Sequence, residues 1–124
     1  MKYYKRRDKI ISQIDWYTCG AVALYNAMVL LGMNPPKPEK VKAKCRTKRK
    51  TGTSVSNLLK AAKFYGLKHK KCKRRTKKYS VYLVLFEVSK TRTHFVVSHN
   101  RKLYNIGTLG KPKNIIHIIE LEKK

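Results

Sequence analysis

The apolar residues change their spacing once along the chain, from a helical pattern before Gly66 to β-branched and aromatic runs after Tyr79. Residues three and four apart share one face of an α-helix, whereas strand side chains alternate between faces. Ala21, Leu24, Tyr25, Met28 and Leu31 follow the first rule, and Gly32 stands where a helix C-terminal glycine belongs. They predict a mostly buried helix starting near Thr18. Asn34 to Pro38 is rich in proline and reads as a loop, and Glu39 to Lys44 as one short helical turn. Gly52, Thr53 and Ser54 supply a turn and a capping hydroxyl. Val55, Leu58, Leu59, Ala62 and Tyr65 then predict a second, amphipathic helix ending at Gly66. Leu67 to Lys78 carries too few apolar residues to be core and reads as an exposed strand edge or loop. Tyr79 to Val88, His94 to His99, Leu103 to Ile106 and Ile115 to Leu121 read as four strands. Helices first and strands last, without alternation, place the chain in the α+β class, with N-terminal helices packed on an antiparallel sheet.

A length of 124 residues suits one domain spanning residues 1–124. Residues 1–10 read as a basic N-terminal extension, and residues 37–50 and 68–78 as basic surface segments. Lys and Arg number 31 against 6 Asp and Glu, a net charge of +25, yet 42% of residues are hydrophobic, too many for a disordered basic tail. Paired-carboxylate hydrolysis and carboxylate-rich metal sites lack ligands, and Cys45, His69 and Cys72 lack a fourth partner for zinc. No metal and no cofactor are expected. No apolar run is long enough to span a membrane, and no secretory signal is present. The odd cysteine set, Cys19, Cys45 and Cys72, fits a reducing compartment, so the expected location is cytoplasmic, or packaged in a virus particle.

The segment from Gln13 to Gly20 is the richest in chemistry. It sets Cys19 in the first turn of a buried helix, where free N–H groups and the helix dipole favour a thiolate. Gly20 leaves room for a substrate backbone, and the Gln13 amide, with the Cys19 N–H, can donate to an oxyanion. A small buried hydrophobe is the alternative reading of Cys19. A thiolate nucleophile needs an imidazole, and among His69, His94, His99 and His117 only His94 opens an apolar strand beside a polar turn. If strands around Asn100-Arg101 form a hairpin with a two-residue turn, paired residues sum to 201 and Asn105 shares a face with His94. A three-residue turn reverses that parity, and Asn100 is the other candidate to orient the imidazole.

Gln13, the run Asp15-Trp16-Tyr17-Thr18-Cys19-Gly20 followed by Ala23-Leu24, Gly52-Thr53, and Thr93-His94-Phe95-Val96-Val97 together resemble the papain-like cysteine peptidases of the double-glycine (bacteriocin-processing) leader peptidase family and their stand-alone relatives. The resemblance covers roughly Ile11 to Gly107. It implies a papain-like fold with Cys19 as nucleophile, His94 as general base and acid, Asn105 as the residue orienting the imidazole, and Gln13 in the oxyanion hole. Family members often carry Asp followed by Pro in the third position, where this chain has Asn105-Ile106, and Asp where it has Thr18. The expected activity is peptide-bond cleavage of a polypeptide substrate, by a processing protease acting near nucleic acid or on an acidic protein. The excess charge also predicts non-specific association with nucleic acid or another polyanion through Lys70, Lys71, Lys73, Arg74 and Arg75, and through Lys48, Arg49 and Lys50. The competing reading is a basic nucleic-acid-binding protein that keeps an inactive peptidase fold.

Overall fold

The computed structural model describes residues 1–90, 92–104 and 114–124. In chain order they form β1 (Tyr3–Lys5), β2 (Ile11–Gln13), a 3-10 turn (Trp16–Thr18), α1 (Cys19–Leu30), α2 (Pro38–Lys44) and α3 (Val55–Phe64). The strands β3 (Leu67–Cys72), β4 (Val81–Ser89), β5 (Arg92–His99), β6 (Lys102–Tyr104) and β7 (Ile115–Lys123) follow.

Both long helices begin and end for reasons legible in their residues. The backbone leaves α1 through Gly32 at φ +76°, and the Met33 N–H returns to the Met28 carbonyl at 2.9 Å. Ser54 Oγ caps α3 by accepting the Asn57 N–H at 3.1 Å, and Gly66 leaves it at φ +84°. The Glu39–Lys44 turn is a fuller helix than expected, because Pro38 fits the first helical position, where its missing N–H costs nothing. The basic N-terminal extension, residues 1–10, contributes a strand to a hairpin. Lys5 pairs with Ile11 in the β1–β2 hairpin, and Ile10 and Ile11 are buried.

The larger sheet runs β3-β7-β4-β5-β6, every neighbouring pair antiparallel. One face presents Leu83, Leu85, Phe95, Val97 and Ile119 to the core that α1 and α3 complete with Leu24, Met28 and Leu58. The other face carries a second cluster of Tyr82, Val84, Phe86, Val96 and Ile118. Burial on both faces explains why β4 reads as an unbroken apolar run rather than an alternating one. β5 and β6 meet across a two-residue turn, with His99 opposite Lys102, Ser98 opposite Leu103 and Val97 opposite Tyr104. Asn100 and Arg101 have φ +52° and +64°, both in the left-handed region that type I′ hairpin turns require.

Candidate active site

Placement of the site begins with a buried polar residue. Asn26, fully buried within α1, accepts the Ile11 N–H through Oδ1 and donates through Nδ2 to the Ile11 carbonyl, both at 2.9 Å. This pair docks β2 on α1 and sets Gln13 just ahead of the helix start. The connecting turn is held by Thr18, whose backbone N–H and Oγ1 donate to the Asp15 carbonyl at 3.2 Å and 2.8 Å. Gln13 Nε2 donates into the same turn, to the carbonyls of Asp15 at 3.3 Å and Trp16 at 3.5 Å.

Cys19 then opens α1, 7% exposed. Burial pushes its thiol up from the ordinary range, opposed by the backbone N–H groups of Phe95, Gly20 and Cys19 itself. The expectation of a simple thiolate-favouring helix terminus therefore holds only in part, since desolvation is the larger influence. The Phe95 N–H belongs to β5, in which His94 is the residue before it. His94 is 8% exposed and packs edge-on to Phe86, its cross-strand partner, with ring centroids 5.6 Å apart.

Two hollows open here. One, of about 180 Å³, is lined by Gln13, Val88 and His94. The other, of about 270 Å³, is lined by Cys19, Lys50 and Thr53. Trp16, Arg92 and Thr93 line both. The Arg92 guanidinium lies 4.9 Å from the centroid of the Trp16 ring, which steadies a cation at the rim.

Gly20 serves a different purpose from the one expected. A Cβ there would lie 2.9 Å from Thr53 Cβ and 3.4 Å from Phe95 Cδ2, so the missing side chain admits α3's leading loop and β5 rather than a substrate. Thr53 is fixed in turn by a 2.6 Å hydrogen bond between its hydroxyl and that of Thr47. Asn105 lies outside the described residues. The turn that decides its parity has two residues, as required for the pairing sum of 201. Asn100 sits six residues along β5 from His94, about 20 Å at strand rise, too far to orient the imidazole.

The cationic candidates do not form one patch. Lys48, Arg49 and Lys50 lie on a short turn closed by two backbone hydrogen bonds between Lys48 and Gly52, at 2.9 Å and 2.7 Å, and Lys50 lines the Cys19 hollow. Lys70 and Lys71 are exposed on the edge strand β3. Lys73 and Arg74 follow it, and Arg75 reaches Ser98 near the far end of β5. Cys45 is buried in the helix-side core and Cys72 packs against the opposite cluster. Arg92 and Asn26 escaped the sequence reading, and Trp16 entered it only as part of the run from Asp15 to Gly20. A polar residue inside the apolar run of α1 was the signal available for Asn26.

The sequence profile of the Peptidase C39 family matches residues 7–124, nearly the whole chain. The chain belongs to that family. Membership makes this C39 chain a cysteine-type peptidase, related to the double-glycine leader peptidases. No protein of curated function is matched by its sequence. Five chains of solved structure resemble it. One is the peptidase domain of Streptococcus ComA, described as a bi-functional ABC transporter involved in a quorum-sensing pathway. It is 18% identical over 91% of this chain and 96% of its own, with a TM-score of 0.65. That likeness shows a shared, papain-like fold.

Proposed function

We propose that this C39 peptidase is a processing protease in which Cys19 and His94 carry out the bond cleavage. His94 takes the Cys19 thiol proton, Sγ forms a bond to the substrate carbonyl carbon, and the carbonyl oxygen becomes an oxyanion. The Cys19 N–H and Gln13 Nε2 stabilise that charge, Gln13 using the hydrogen now spent on its weak 3.5 Å contact with Trp16. Collapse breaks the C–N bond as His94 returns the proton to the leaving amine. Water, deprotonated by His94, then releases the acyl group and restores the thiol. The role of orienting the imidazole is assigned to Asn105 on the family resemblance alone.

The observation that carries this reading is the position of the Cys19 thiol, at the start of a helix and against the Phe95 N–H, next in sequence to His94. Lys50 and Arg92 at the Cys19 hollow support an acidic substrate segment, since the hollow has cations and no carboxylate among its described lining residues. The test is labelling by a peptide electrophile, with the modified residue mapped by mass spectrometry. Modification confined to Cys19, and lost in His94→Ala, is expected. Equal modification of Cys19 in the wild type and His94→Ala would leave the chain a basic binding protein on an inactive peptidase fold.

A further inference from the structure

At the other end of β5 from His94, a third hollow, of about 460 Å³, opens on the same sheet face. Its floor holds two hydroxyls, those of Tyr82 and Ser98, cross-strand partners that are 3% and 1% exposed. Each is already committed as an acceptor. Arg75 Nη1 donates to Ser98 Oγ at 2.8 Å, and the Lys77 N–H donates to Tyr82 Oη at 3.0 Å. Neither O–H has an acceptor among the described residues, so two buried donors face an open hollow.

The rim supplies charge. Lys77 lies 3.6 Å through Nζ from the carboxylate of Glu120, a 5% exposed residue paired with Tyr82 across β4 and β7. Arg75, Lys78 and Arg101 line the hollow as well, and Arg75 keeps the donors not spent on Ser98. Arg101 occupies a left-handed turn position that glycine fills without strain, at φ +64°. A charged side chain held at such a cost points to a use for it.

We propose that this hollow is a phosphate-binding site, taking a phosphate of a nucleic-acid backbone or free inorganic phosphate. Guanidinium groups and hydroxyl donors suit the several oxygens of that group, and the volume is in the range of small-ligand sites. Ser98 and His94 share a face of one strand about 13 Å apart, so an occupant lies beside the catalytic cleft without entering it. The site does not depend on the peptidase assignment of Cys19.

The test measures fluorescence anisotropy of a labelled single-stranded oligothymidine and, separately, displacement of that probe by inorganic phosphate. Arg101→Gly creates the favoured Asn-Gly turn and keeps the fold; it is expected to weaken binding by about tenfold. Ser98→Ala, which leaves the charge unchanged, is expected to weaken it by about threefold. Lys63→Gln removes one exposed charge from α3 and is expected to change binding by less than about twofold. Displacement by phosphate at millimolar concentration assigns the site to free phosphate, and displacement only by competing oligonucleotide assigns it to the backbone. Wild-type affinity in both Arg101→Gly and Ser98→Ala, or losses no greater than that of Lys63→Gln, would overturn the site in favour of diffuse attraction to the surface.

Discussion

Burial of Cys19 and the N–H groups around it act on the thiol in opposite directions, burial being the stronger. A low thiolate pKa therefore requires the imidazole, and the helix terminus alone does not provide it. Cys45 is the internal contrast, a thiol with no such company, pushed up by burial to about 12. Its folded-state pKa lies above the ordinary 9.0, so the unfolded chain loses that proton first and stability falls as pH rises from about 9 towards 12. Thiol titration of the native protein at pH 8 is expected to leave Cys45 unmodified while the part-exposed Cys72 reacts. Rapid loss of the Cys45 thiol at that pH would contradict its place in the core. At Gly20, substitution by Ala sets a Cβ 2.9 Å from Thr53 Cβ. Displacement of Thr53 is expected to cost about 1–3 kcal/mol in denaturant unfolding and to lower Cys19 reactivity through the hollow it lines.

Among the elements, α1, α3 and the hairpin of β5 and β6 were legible because each is written in local signals. A helical apolar spacing, Ser54 and Gly66 as stops, and a two-residue connection are properties of neighbouring residues. Cys19 opens a helix as its spacing predicts, whereas His94, expected to open a strand, stands third in β5. The N-terminal hairpin was not legible, because what orders it is a tertiary contact between Ile11 and Asn26, 15 residues apart. Nor was the packing role of Gly20, because Thr53 and Phe95 reach it from distant parts of the chain. Asn26→Leu leaves the Ile11 N–H and carbonyl buried without partners, at about 1–3 kcal/mol each. Chemical denaturation is expected to show a loss of about 2–6 kcal/mol, or a chain that does not fold. A change below about 1 kcal/mol would mean that β2 is not anchored through Asn26.

For the whole molecule, a net charge of +25 on one domain opposes the compact state by self-repulsion. Added salt screens that repulsion, so thermal stability is expected to rise with sodium chloride, the reverse of a fold held by surface ion pairs. A fall in Tm with salt would contradict that balance. The same charge places cations at the Cys19 hollow, on the β3 edge and at the far end of β5, three regions that the composition alone did not separate. Central to the proposed function is that Cys19 takes its nucleophilicity from His94. The rate of Cys19 alkylation by iodoacetamide, followed by mass spectrometry from pH 5 to 10 in wild type and His94→Ala, tests it most directly. The wild-type rate is expected to rise at clearly lower pH than the His94→Ala rate, whose buried thiol, without an imidazole, ionises only above the ordinary 9.0. Two coincident profiles, both rising above about pH 9, would contradict the account.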